Sequence, residues 1–198
     1  MNYRVLKPED YRQMPWKNGL GTTCEILREP AGDDVPFDWR VSIAEIKENG
    51  PFSLFPEYMR VINTLEGRGM FMTVDGVRTH PLLKYDPYVF HGASQVESEL
   101  IDGPIRDFNL IFRLDVCPSR LQWHNVHQVK TAVSKAGRIL VFSVQGLTIQ
   151  AGSLSLDLAP WCTLDLPNEA HSELSLSLAG PADIPDNYAC LMEINVPL

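Results

Sequence analysis

Residues two apart on extended chain point to the same side. Three pairs in this sequence use that spacing to bring polar chemistry together: Thr23 with Glu25, Arg40 with Ser42, and Asp107 with Asn109. Arg40 and Ser42 lie opposite Trp39, Val41 and Ile43, and Asp107 and Asn109 lie opposite Phe108 and Leu110. A guanidinium grips a carboxylate through two parallel N–H bonds. A carboxamide such as Asn109 both donates and accepts, which suits an amide-bearing or imidazole ligand. Plainer roles stand beside these: Arg40 and Glu25 as solvated or paired strand charges, and Asn109 as a group that satisfies backbone at a strand bend. Either face of the Arg40 strand is compatible with pointing inward. Trp16-Lys17-Asn18-Gly19 reads as a hairpin turn, since Asn-Gly favours the type I′ geometry. It also reads as a pocket rim, with Trp16 as an apolar wall and Asn18 as a polar contact.

The histidines say less. His124 and His127 are three apart and would share one face of a helix, but no carboxylate or cysteine pattern joins them, so a solvated segment is the better reading. His91 is the histidine best placed in sequence to act as a base, with an ordinary pKa of about 6.5, although a loop histidine explains it as well. His80 and His171 sit near turn residues. Cys24, Cys117, Cys162 and Cys190 are far apart and form no C-x-x-C pair, so zinc and thioredoxin-like chemistry have no starting point. No G-x-S-x-G elbow, phosphate-cradling G-x-x-x-x-G-K or G-x-G-x-x-G is present.

The 198 residues give room for one or two domains with a sizeable core. Charged residues make up 21% and the formal net charge is −8, with no Lys/Arg-rich run, which disfavours nucleic acids and anionic membrane surfaces as partners. No apolar run approaches the roughly 18–20 residues of a membrane span. Met1 to Asp10 holds Lys7, Glu9 and Asp10 and lacks an apolar signal core. The expectation is a cytoplasmic protein with reduced cysteines.

Alternation with period two dominates the chain. Trp39/Val41/Ile43, Met70/Met72/Val74, Leu154/Leu156/Leu158 and Leu174/Leu176/Leu178 each form one apolar face. Turn signals separate such stretches: Asn49-Gly50-Pro51, Glu66-Gly67, Asp75-Gly76, Asp102-Gly103-Pro104, Gln145-Gly146 and Ala151-Gly152. Only Lys7 to Met14 and Ser119 to Lys130 suggest short helices. The pattern predicts an all-β sandwich or barrel. It also repeats. Val61 to Phe90 and Ile139 to Leu166 run through the same order of strand, Gly turn, strand, Gly turn, strand, Pro turn and strand, which suggests two copies of one β-unit.

That order resembles a cupin half-barrel, and two of them a bicupin. A more specific resemblance is carried by four motifs in order. Pro15-Trp16-Lys17-Asn18-Gly19-Leu20-Gly21-Thr22-Thr23-Cys24-Glu25-Ile26 is similar to the opening motif of the HutD/Ves family, and Phe37-Asp38-Trp39-Arg40-Val41-Ser42-Ile43-Ala44 to its second. Gly50-Pro51-Phe52-Ser53-Leu54-Phe55-Pro56 with Arg60 and Leu65-Glu66-Gly67 is similar to the third, and Arg106-Asp107-Phe108-Asn109-Leu110 to a fourth. The resemblance implies a bacterial bicupin of two antiparallel β-barrel or jelly-roll units: residues 1–114 with a ligand pocket, and residues 115–198 as a packing unit, with terminal strands free to exchange. Leu154, Leu156, Leu158, Leu174, Leu176 and Leu178 are its expected core. The resemblance also implies a link to histidine breakdown or to stress response, and no established reaction.

Cupin enzymes hold a metal through two His flanking one residue, then a Glu, then a Gly. Anchored on Gly67, that pattern puts Arg60 at the Glu position and Leu54 with Pro56, or Ser53 with Phe55, at the His positions. The last His position, anchored on Asp86, falls at Val96; in the second unit, anchored on Gly146, Ile139 takes the Glu position. The expectation is no metal and no cofactor, since a guanidinium donates only and repels a cation. A charge pointing into a barrel has to be paired or liganded. Arg60 would then either clamp the carboxylate of a small metabolite or pair with an internal acid such as Glu25. In the first case Asn18, Thr23, Glu25, Arg40 and Asn109 surround the ligand, and Trp16, Phe55 and Phe90 wall it. The resemblance suggests urocanate or a formylglutamate-like acid and a sensing role. The rivals are a metal-free isomerase or hydrolase with His91 or Glu25 as base, and a barrel filled by its own side chains. A homodimer is permitted and not required.

Overall fold

The computed structural model describes residues 2–16, 21–32 and 35–196. In chain order the strands are β1 (Arg4–Leu6), β2 (Arg12–Pro15), β3 (Gly21–Glu29), β4 (Trp39–Ile46), β5 (Gly50–Pro51), β6 (Met59–Glu66), β7 (Met70–Val74), β8 (Val77–Arg78), β9 (Tyr88–His91), β10 (Val96–Leu100) and β11 (Ile105–Phe112). They continue with β12 (Ser119–Asn125), β13 (Thr131–Ser134), β14 (Arg138–Ser143), β15 (Leu147–Ala151), β16 (Leu154–Leu158), β17 (Thr163–Pro167), β18 (Leu174–Ala179) and β19 (Tyr188–Ile194). The strands pair antiparallel. The protein is all-β: among the described residues a 3₁₀ turn over Pro8–Asp10 is the one helical element. No helix of the described residues is long and apolar enough to cross a membrane.

The chain divides into two compact units, Tyr11–Val116 and Met1–Asp10 with Cys117–Leu198. Residues 2–10 thus group with the C-terminal unit rather than with the unit they precede: β1 pairs with β17, Val5 opposite Leu164. In the first unit one sheet has the order β2-β3-β4-β11-β6-β9 and the other β5-β10-β7-β8. In the second unit the orders are β1-β17-β14-β19-β12 and β13-β18-β15-β16. Read from β4 onward, the first unit's orders become those of the second when eight is added to every label. The repeat heard in the sequence between Val61–Phe90 and Ile139–Leu166 is therefore a repeat of eight strands in each unit.

Both expected helices are absent. Lys7 to Met14 holds the 3₁₀ turn and most of β2, and Ser119 to Lys130 holds β12. Strand pairing overrides the local pattern: β12 runs along β19 with Leu121 opposite Met192, and burial of alternate residues, Leu121 and Asn125 among them, completes the sheet. The shared helical face of His124 and His127 goes with it.

The two interiors differ. The second barrel is filled: Leu154, Leu158, Leu176 and Leu178 are buried among Ile139, Val141 and Leu166, and Leu156 and Leu174 pack against them half-buried. The first is filled at one end only, where Ile46, Ile62 and Ile105 join Met70, Met72 and Phe90. Further along the same strand faces the side chains turn polar.

Candidate functional site

Register decides what shares the open end of the first barrel. On β4 and β11, Arg40 lies opposite Ile111, Ser42 opposite Asn109 and Ala44 opposite Asp107. Ile111 also faces Arg60 on β6, and Thr23 on β3 faces Ala44. The polar faces of these strands, not the apolar ones, therefore point inward. They line a cavity of about 510 Å³ together with Trp16 and the segment Pro51, Phe52, Ser53 and Phe55. That size is ordinary for a small-molecule pocket.

Arg60 is 4% exposed. Its Nη1 donates to the Ser53 carbonyl at 3.1 Å and its Nη2 to Asn109 Oδ1 at 3.0 Å. Its Nε is buried with no hydrogen-bond partner. The guanidinium lies over the rings of Phe52, Phe55 and Phe90 at 5.1, 5.5 and 5.0 Å. Burial lowers its pKa to about 10, against the pull of Asp107, and Arg40 lowers it further, so it stays protonated at neutral pH. Asn109 is spent in holding this centre together. Its oxygen accepts from Arg60 and its Nδ2 donates to Asp107 Oδ1 at 2.8 Å. Asp107 Oδ1 also accepts from the Ala44 amide at 3.2 Å, while Asp107 Oδ2 is buried without a donor. Burial lifts the Asp107 pKa to about 7, opposed by the Arg60 charge and by the Ala44 and Asn109 hydrogen bonds.

Arg40 stands at the same cavity with its guanidinium over Phe37 and Phe55 at 5.0 and 5.3 Å. Its Nε has no hydrogen-bond partner, and burial lowers its pKa, with Glu25 raising it and Arg28 lowering it. Trp16 closes one wall, its Nε1 donating to Thr23 Oγ1 at 2.9 Å.

The structure thus brings Trp16, Thr23, Arg40, Phe55, Arg60 and Asn109 to one cavity, with Phe90 beneath Arg60. Asn18 lies outside the described residues. Glu25 is buried near Arg40 without lining the cavity, and Arg60 turns to Ser53 and Asn109 rather than to it. His91 is exposed at the end of β9, its Nδ1 accepting from the Ala93 amide at 3.1 Å, away from the cavity lining. Asp107 is the charged cavity residue to which sequence reasoning gave no role. Its spacing from Asn109 was visible, but its environment comes from register with Ala44.

A cupin metal does not fit here. The charged and amide groups lining the cavity are two guanidiniums, one carboxylate and a carboxamide already committed, whereas a divalent ion needs several N, O or S donors converging. Of the two alternative pairs of His positions, Ser53 and Phe55 line the cavity and Leu54 is 55% exposed. No group of three or more His, Cys, Asp and Glu that could hold a metal occurs among the described residues.

Comparison with known proteins agrees with this architecture. A bacterial pirin from Escherichia coli, solved in complex with nickel, superposes with a TM-score of 0.61 over the whole of both chains at 12% identity, which shows the cupin fold alone. HutD from Pseudomonas fluorescens SBW25 superposes over the whole of both chains with a TM-score of 0.83 and 38% identity. Over 140 residues the chain is 44% identical to an uncharacterised protein in the hutC 3′ region of Pseudomonas putida, covering 71% of this chain and 73% of that one. Over 139 residues it is 39% identical to protein Ves of Citrobacter koseri, covering 68% and 71%. The family model for HutD matches residues 8–182, and with these relatives it places the chain in the HutD family.

Proposed function

We propose that the protein binds a small carboxylate-bearing metabolite in its first barrel, without metal, as an accessory or regulatory protein of histidine utilisation. One observation carries this reading: a buried, protonated guanidinium, Arg60, faces an open cavity with its Nε–H unspent. A buried donor left unmatched costs about 1–3 kcal/mol, and more when charged, and an incoming carboxylate removes that cost. Urocanate and formylglutamate-like acids are the ligands to try first, given that the Pseudomonas putida relative lies beside hutC. The reading includes a cytoplasmic location, in keeping with four free cysteines, no nucleic-acid or membrane partner, and at most a homodimer. A catalytic reading is weaker, because neither His91 nor Glu25 lines the cavity.

The test is thermal shift and calorimetry with a panel of small acids. At least one acid should raise the melting temperature, since a ligand of the folded state stabilises it by mass action. Arg60→Ala should remove that shift, and Arg60→Lys should keep part of it. A panel without any effect, or a shift that survives Arg60→Ala, defeats the proposal.

A further inference from the structure

The second barrel contains a picture of what the first lacks. Arg40 is the second residue of β4, and Arg120 is the second residue of β12, the strand eight places on. Arg40 lies opposite Ile111, and Arg120 lies opposite Glu193. Arg60 lies opposite Ile111 and Phe90; Ile139 lies opposite Glu193 and Leu166. These registers make Arg40 and Arg120, Ile111 and Glu193, and Arg60 and Ile139 equivalent positions in the two units.

In the second unit the arginine is answered from within. Arg120 Nε donates to Glu193 Oε2, and Ser134 Oγ donates to Glu193 Oε1 at 2.5 Å, so the carboxylate is held by both oxygens while only 5% exposed. In the first unit the position of that carboxylate holds Ile111, and the Nε of Arg40 is buried with no acceptor. Glu25 acts on Arg40 from a distance but makes no ion pair with it among the described residues. The cavity therefore holds two guanidiniums, each with an unanswered Nε–H, both within 5.5 Å of the centre of the Phe55 ring. Asp107 and Glu25 pull on these charges without an ion pair to either, and two guanidiniums left without a counter-ion in contact call for an anion with two charged ends.

We propose that the ligand is a dicarboxylate, one carboxylate held by Arg60 and the other by Arg40, which answers Arg40 as the Glu193 carboxylate answers Arg120 in the second barrel. This rests on the reading that Arg60 binds a carboxylate, and it adds a second anion subsite.

The experiment compares straight-chain dicarboxylates, malonate to adipate, with their monoamides, which keep size and shape and lose one charge. Calorimetry on the full chain should show at least one diacid bound about tenfold or more tightly than its monoamide, as expected for one charge-assisted bond. Arg40→Gln should cost the diacid several times more affinity than the monoamide, so that the gap between the two closes. Ile111→Glu places the second barrel's carboxylate in the first; it should answer Arg40 internally and erase the preference in the same way. The two variants are independent, so a poorly folding one leaves the other to decide. Diacid and monoamide binding equally to the wild type, with both lost in Arg60→Ala, overturns the second subsite and leaves the carboxylate reading standing. A preference that persists through either variant also overturns it. Binding of no acid at all defeats both.

Discussion

Arg60 and Asp107 are opposite charges that burial penalises together. They do not touch: the Asn109 amide stands between them, so their attraction reaches neither at contact strength, and both pKa values move toward the neutral form. A consequence follows for binding. Arg60 on β6 is the charged group that acts on Asp107, with Arg40 on β4 lining the same cavity, and an anion placed on them is repelled by an ionised Asp107. The anion therefore prefers the protein with Asp107 protonated. Affinity should be highest below about pH 7 and weaken as pH rises through that value, then level off. Asp107→Asn should flatten the profile, which titration calorimetry across pH would show. Sequence alone reached Arg60 only through its distance from Gly67 and a likeness to cupins. It left Asp107 without a role, because that side chain's chemistry comes from a partner strand 63 residues away.

At the scale of elements, the segment that carries Phe52, Ser53 and Phe55 is tied to the end of β9 through one glycine. Phe55 N donates to the Gly92 carbonyl, and Gly92 N to the Tyr58 carbonyl, each at 2.7 Å. A Cβ on Gly92 would stand 2.2 Å from the Phe55 oxygen and 2.9 Å from the Tyr58 oxygen, both backbone atoms that cannot swing aside. Gly92→Ala should therefore cost about 1–3 kcal/mol of stability. It should also weaken ligand binding, since Ser53 and Phe55 leave Arg60 when the segment shifts. Gly50→Ala, where nothing lies within 4 Å of the added carbon, should change neither the melting temperature nor the dissociation constant. The strands themselves were readable from period two and from their turn residues. What was not readable is which face points inward: Arg40 and Ser42 line a cavity, while Trp39 and Val41 on the other face are fully buried, so polarity did not mark a solvent side. The failed helix over Ser119 to Lys130 has the same cause, a pairing with β19 invisible in local spacing.

The whole molecule repeats one eight-strand frame with opposite interiors. Leu176 is fully buried in the packed unit, and none of the cavity's lining residues belongs to that unit. Leu176→Ala should cost about 2–5 kcal/mol and lower the melting temperature by several degrees. The ligand dissociation constant of the protein that remains folded should stay the same, checked by calorimetry well below the transition. The duplicated order of turns was legible in the sequence; that Ile139 and Glu193 make the second copy self-sufficient was not, because their equivalence to Arg60 and Ile111 appears only through strand partners. A frame built twice and hollowed once has a numerical result. If the first barrel binds as proposed, each polypeptide should saturate with a single guest molecule, along a plain hyperbola, and any sharper dose response would have to be generated by several polypeptides acting in concert.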